Sequence, residues 1–176
     1  MLQVLVDPIV IAGDISGSPV NLDDQFFLVK TPFPITIYDR SSDDVYVAVN
    51  GILTFDTGTS VYQNAAIPTS LVPSYSVMGL WGDLFIYQGT PQGLYYEVSG
   101  ETGARTLIFE WYTSRYHNSA EYYHFTMEFF EASPGVIVLK YHDARDQGVL
   151  SSIGVQGGSS TSTLFIKKLM SDELIC

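Results

Sequence analysis

The sequence predicts an all-β fold, an antiparallel and jelly-roll-like β-sandwich. Two neighbouring segments carry this prediction, residues 107–112 and 122–130, because both are dense in aromatic and β-branched residues and a polar turn separates them. A period of two runs through the second segment and is typical of a strand with one buried and one solvated face. The expected buried face holds Tyr123, Phe125, Met127 and Phe129, and the expected solvated face holds His124, Thr126 and Glu128.

The composition fits one globular domain spanning residues 1–176. Hydrophobic residues make up 46% of the chain and aromatic residues 14%, which favours half-buried pleated surfaces over disorder. Nineteen acidic residues against eight basic ones give a net charge of -11, which repels phosphate backbones and anionic lipid heads. No apolar run approaches the roughly 18 residues that span a bilayer. We therefore expect no nucleic-acid partner and no membrane insertion.

Short strands recur along the chain at the spacing of a sandwich or barrel, roughly 8 to 12 residues. Asn50-Gly51 lies between two apolar runs and predicts a hairpin with a three-residue loop over residues 50–52. Residues 39–44 are expected to form a charged turn, residues 56–76 a long irregular connection, and residues 167–175 one terminal helical turn. Strands are expected at residues 2–11, 25–29, 35–38, 45–49, 52–55, 77–85, 93–98, 107–112, 122–130, 136–141, 152–156 and 163–169.

Seven stretches carry a resemblance to a known family: residues 32–38, 45–55, Leu80-Trp81-Gly82-Asp83-Leu84, 93–96, 105–111, 125–131 and 152–156. Taken in order, they resemble the NIDO domain of nidogen-type extracellular proteins, and most of all its fungal versions. The resemblance covers residues 22–157, and it implies an extracellular module of larger proteins with a binding or structural role and no established chemistry. The chain departs from the family pattern at Gly82, because a second acidic residue is frequent there before Asp83.

Exposed aromatic side chains beside amides and charged groups are the residue types that bind sugars, and binding sites concentrate in loops on a rigid scaffold. Such residues cluster in the turn after residue 110 and in the long connection. The alternative is that these aromatics cap the core at a strand end, as we expect for Trp81. The candidate ligand-binding residues are Trp111, Tyr112, Arg115, Tyr116, His117, Asn118, Tyr62 and Asn64.

Acidic residues cluster at four places in the predicted loops, and calcium is the one cofactor that such clusters could hold. The clusters are Asp14, Asp23-Asp24, Asp43-Asp44, and Asp143 with Asp146. The best candidate metal ligands are Asp143 and Asp146, although solvated turn carboxylates would explain the same pattern.

The sequence assigns no catalytic residue. A glycosidase needs two carboxylates about 5–9.5 Å apart; Glu110 and Glu128 could share a strand face, but we expect them to be solvated. The main functional hypothesis is an extracellular binding or adhesion module for a glycan or an extracellular protein. The alternatives are a structural or assembly domain, with contacts through exposed edge strands or Cys176, and a glycoside-active enzyme. Residues 1–8 lack the cationic start of a signal peptide, so the chain is expected to be either a cytosolic protein or a domain of a longer secreted precursor. The resemblance to extracellular NIDO domains favours the second, a secreted or cell-surface domain of a longer precursor.

Overall fold

A computed structural model describes residues 4–13, 21–158, 162–164 and 173–175. In these ranges the chain is 56% strand with no helix, and two antiparallel sheets pack together. The strands are β1 (Ile9–Gly13), β2 (Leu22–Asp23), β3 (Phe26–Ile37), β4 (Arg40–Ala48), β5 (Ile52–Thr54), β6 (Ser76–Trp81), β7 (Leu84–Ile86), β8 (Gly93–Ser99), β9 (Thr106–Arg115), β10 (Asn118–Phe130), β11 (Ile137–Ala144), β12 (Ser152–Gln156), β13 (Ser162–Leu164) and β14 (Glu173–Ile175).

The strands form a larger and a smaller sheet. The larger sheet has eight strands in the order β1-β8-β9-β10-β11-β14, with β7 pairing to β9 and β2 pairing to β7. The smaller sheet has six strands in the order β13-β12-β6-β5-β4-β3. The predicted all-β antiparallel sandwich is therefore confirmed.

The core lies between the two sheets and follows the period of two in the strands. In β10, the side chains of Tyr123, Phe125, Met127 and Phe129 are all buried in the core, as predicted. They face apolar side chains of the smaller sheet, among them Val47, Val49, Leu53 and Phe55.

A second apolar cluster covers the outer face of the smaller sheet. The long connection after β5 crosses this face and contributes Ile67 and Val72, which pack with Met78 and Trp81 of β6. Trp81 is fully buried, as expected, and its Nε1 donates to the Val61 carbonyl at 2.9 Å. The irregular connection predicted from the sequence therefore closes one outer face of the sandwich.

The hairpin between β4 and β5 has a three-residue loop, one residue earlier than predicted. Ala48 pairs with Ile52, so the loop comprises residues 49–51. Gly51 has a φ of +76°, and a Cβ there would lie 2.4 Å from the Leu80 carbonyl oxygen. Only glycine allows this close approach of the loop to the neighbouring strand.

Four other predictions from the sequence need correction. Residues 40–44 belong to β4 because Ser41 and Ser42 pair with Thr36 and Ile35 of β3. The apolar run 77–85 is two strands, β6 and β7, which belong to different sheets. The first strand begins at Ile9, not residue 2, and residues 173–175 form a strand, not a helical turn. The remainder of that predicted turn, and Cys176, lie outside the described residues.

Candidate functional site

One end of the sandwich brings together β2, β7 and the turn of the β9–β10 hairpin. β7 pairs with β2 through Asp23 and Phe85, and with β9 through Leu84 and Arg115. The Tyr116 amide donates to the Asp83 carbonyl at 3.0 Å. The chain crosses between the sheets immediately before β7, so this end of the molecule is fixed by both sheets.

Three carboxylates meet at this end. Asp23, Asp24 and Asp83 each place a carboxylate oxygen within 4.8 Å of the others, and all three residues are partly buried. Asn50 connects them to the smaller sheet: its Nδ2 donates to Asp24 Oδ1 at 2.7 Å, and its Oδ1 accepts from the Leu84 amide at 3.0 Å. We call Asp23, Asp24 and Asp83 the acidic trio.

Burial and the neighbouring carboxylates oppose the ionisation of two members of the acidic trio, Asp23 and Asp83. Burial, and then the charges of Asp24 and Asp83, raise the pKa of Asp23 above its ordinary value. Burial, and then the charge of Asp24, raise the pKa of Asp83, while Arg115 and His117 act in the opposite direction. Asp23 Oδ1 is buried without a hydrogen-bond partner among the described residues. Since carboxylate oxygens are the preferred ligands of calcium, these are the described residues that could hold a cation.

The turn of the hairpin presents polar and aromatic side chains beside the acidic trio. Tyr116, His117 and Asn118 are exposed, and His117 has a φ of +59° at the tip. The Tyr116 ring packs against the rings of Phe85 and His117, at centroid distances of 5.4 and 3.8 Å. The half-buried Arg115 contacts Tyr123 through Nη1 at 3.3 Å. We call residues 115–118 the turn surface.

Four of the eight candidate ligand-binding residues lie outside the turn surface, and two of these, Trp111 and Tyr112, belong to β9. Trp111 is completely buried in the core, so its assignment to a surface site is corrected. The alternation of β9 explains this, because Trp111 points inward with Phe109, and Phe125 of β10 stacks on it. Tyr112 is half-buried and packs against the ring of His124 at 5.3 Å.

The candidate residues of the long connection have separate surroundings. Tyr62 is exposed, whereas Asn64 is partly buried and donates from Nδ2 to Ser152 Oγ at 3.2 Å. Their role in ligand binding stays a prediction.

The candidate metal ligands Asp143 and Asp146 already have protein partners. The Asp143 carboxylate lies 3.2 Å from Arg145 Nε. Asp146 accepts from the Gly148 amide at 2.6 Å and from the Leu150 amide at 3.3 Å, so it stabilises its own loop. Within the described residues, the carboxylates that come together as a group of three are those of the acidic trio instead.

The polar face of β10 is buried, contrary to the expectation that its glutamates are solvated. Glu110 and His124 are each 1% exposed and Glu128 is 8% exposed. His124 Nε2 lies 2.6 Å from Glu110 Oε1, and Lys140 Nζ lies 2.9 Å from Glu128 Oε1. The segment before β1 covers part of this polar face, and in it the Val4 amide donates to Glu110 Oε1 at 2.9 Å.

Comparison with protein families decides the relationship of the chain. The family model described as NIDO related matches residues 7–171, almost the whole sequence. The chain belongs to the NIDO-related family. The match is wider than the stretch of resemblance recognised in the sequence, and it places this NIDO-related domain in a family that suggests an extracellular context in general. Comparison with curated proteins gives no match, and comparison with solved structures gives none.

Within the described part of this NIDO-related domain, no helix is long and apolar enough to cross a membrane.

Replacing Asp83 with asparagine is expected to stabilise this NIDO-related domain at neutral pH. A carboxyl whose pKa is higher in the folded than in the unfolded protein opposes folding once it ionises. That cost is absent below the unfolded pKa of about 3.9 and is fully present above the folded pKa. Asp83→Asn should therefore raise the melting temperature by a few degrees at about pH 7 and leave it unchanged at about pH 3.

Thermal melts across this pH range would check the prediction. Glu101→Gln is the control, because it removes the same charge from an exposed loop position and should change little at any pH. A lower melting temperature for Asp83→Asn at neutral pH would show that the Asp83 carboxylate stabilises the fold.

Proposed function

We propose that this NIDO-related domain is a non-catalytic binding or adhesion module of a longer secreted or surface-attached protein. Its ligand is a glycan or an extracellular protein, bound at the turn surface. The observation that carries the proposal is the exposure of Tyr116, His117 and Asn118 on a turn that hydrogen bonds fix to a partly buried acidic trio. Exposed groups held on a rigid scaffold are the usual form of a recognition site.

The chemistry of the turn surface suits hydroxyl-rich or peptide ligands. The Tyr116 ring offers an apolar face, and the Asn118 amide and the His117 ring offer donors and acceptors. Asn118 Nδ2 is held by Glu121 Oε2 at 2.9 Å, so one side of the amide is oriented by the protein. Calcium bound by the acidic trio would place a positive charge beside these groups. Hydroxyl or carboxylate oxygens of the ligand could then coordinate the same ion.

A glycan array probed with the domain, with and without calcium, tests the glycan ligand. We expect binding by the wild type, and a loss of affinity of about tenfold or more for Tyr116→Ala, since aromatic residues dominate binding energies. Tyr38→Ala is the matched control, since Tyr38 is exposed to a similar extent, 38% against 36% for Tyr116, and lies outside the turn surface. Binding to no sugar under either condition would contradict a glycan ligand.

The same preparations test the ion. Calcium bound only by the folded state must raise the melting temperature. The rise expected for the wild type should disappear in Asp83→Asn and persist in Asp143→Asn. A rise that persists in Asp83→Asn and disappears in Asp143→Asn would assign the ion to the loop of Asp143 and Asp146.

A further inference from the structure

An apolar groove runs between two sheet edges on the side of the sandwich away from β13 and β14. β3 is the last strand of the smaller sheet and β1 is the last strand of the larger sheet. The groove has a volume of about 610 Å³. Its most exposed apolar side chains are Leu28 at 59%, Ile9 at 51%, Phe26 at 42% and Val10 at 39%. Exposed apolar side chains grouped along open sheet edges mark an interaction site.

The β3 edge is protected in one half and open in the other. Pro32 and Pro34 lie in the second half of the strand and have no N–H to offer to another strand, which is a usual protection of edges. The first half, residues 26–30, has an extended backbone and contains no proline. A further strand can therefore pair with residues 26–30 only.

The charges at this edge favour a second copy of the same chain. Within the described part of the chain no acidic residue lines the groove, so two chains of net charge -11 can approach here with little repulsion. The one charged residue of the lining is Lys30, whose Nζ lies 2.9 Å from Asp43 and 3.2 Å from Asp44. In an antiparallel pair centred on Leu28, Lys30 of one copy faces Phe26 of the other, so no like charges meet.

We propose that two copies of this chain pair through β3, antiparallel and about a twofold axis at Leu28. Both copies use the same surface, as twofold symmetry requires. Leu28 faces Leu28 of the second copy, Phe27 faces Val29, and the ring of Phe26 packs on the methylene groups of Lys30, whose ammonium stays with Asp43 and Asp44. The two smaller sheets become one continuous sheet, and the apolar side chains of the groove are covered.

Sedimentation equilibrium of the wild type and of charged variants tests the pairing. We expect a reversible dimer for the wild type, strengthened by added salt because both copies are acidic. Leu28→Lys puts two like charges on the axis and should weaken association by at least about tenfold. Leu71→Lys is the control, since Leu71 is equally exposed at 52% and does not line the groove. It should dimerise as the wild type does.

A mixture of Leu28→Lys and Leu28→Glu tests the position of the axis. Each variant alone should be monomeric, and the mixture should form heterodimers because opposite charges then face each other. A wild type that stays monomeric would overturn the proposal and leave the groove to a different chain. A Leu28→Lys variant that dimerises as the wild type does, or a mixture that stays monomeric, would overturn it too. Melting temperatures close to that of the wild type would show that the variants fold.

Discussion

Replacing Trp111 with alanine is expected to destabilise the domain by about 3–5 kcal/mol, the usual effect of truncating a large aromatic side chain in a core. The indole is completely buried. It stacks on Phe125 of the neighbouring strand with ring centroids 5.2 Å apart, and its Nε1 donates to the Ala48 carbonyl at 2.8 Å. Because Ala48 belongs to the opposite sheet, the substitution removes packing within one sheet and a hydrogen bond between the two.

Urea unfolding would measure this loss as a lower midpoint with little change in slope. Tyr116→Ala truncates an exposed aromatic residue of the same hairpin and should stay within about 0.5 kcal/mol of the wild type. Trp111→Phe should fall between the two, since it keeps part of the packing and loses the hydrogen bond. A Trp111→Ala variant as stable as the wild type would contradict the placement of the indole in the core.

Replacing His124 with leucine is expected to cost about 3–5 kcal/mol, because it leaves the Glu110 carboxylate buried without its ring partner. The Val4 amide would then be the one group that donates to this carboxylate among the described residues. Glu110→Leu should destabilise for the matching reason, as His124 and the Val4 amide lose their acceptor.

The double variant Glu110→Leu/His124→Leu measures the interaction energy between the two side chains, because its stability is compared with the stabilities of the two single variants. Replacement of both partners of a buried hydrogen bond by apolar groups of similar shape can be nearly neutral, so we expect the double variant to be more stable than either single one. Lys30→Gln is the control, because the Lys30 ammonium and its partners Asp43 and Asp44 are all exposed, and the loss of exposed ion pairs changes stability little. Strictly additive single effects, measured by urea unfolding, would show that Glu110 and His124 do not interact.

The inner face of the larger sheet could be predicted from the sequence, and its outer face could not. Inward residues such as Phe125 and Met127 follow the period of two, which depends only on neighbours along the strand. The burial of Glu110 depends on His124 and on the segment at Val4, which lies 106 residues away along the chain. A contact between residues so far apart leaves no pattern in the neighbouring sequence, so a polar residue on a strand is predicted to be solvated.

The grouping of the acidic trio could not be predicted from the sequence for a similar reason. Asp23 and Asp24 were recognisable as one acidic cluster, but their partner Asp83 follows an apolar run that reads as a single strand. The break at Gly82 and the pairing of the two-residue β2 with β7 bring the three together. A strand of two residues has no periodicity to detect. The turn surface was predictable, because a polar turn between two strong strands is a local signal.

The amide of Asn50 has a mechanical consequence. It lies in the turn between β4 and β5 of the smaller sheet and bonds to Asp24, which directly follows β2, and to the Leu84 amide of β7 in the larger sheet. A pulling force that slides one sheet over the other must break both bonds and change the spacing of the three carboxylates. A cation bound by the acidic trio would strengthen the connection between the two sheets. The force needed to unfold the domain would then depend on the concentration of that ion.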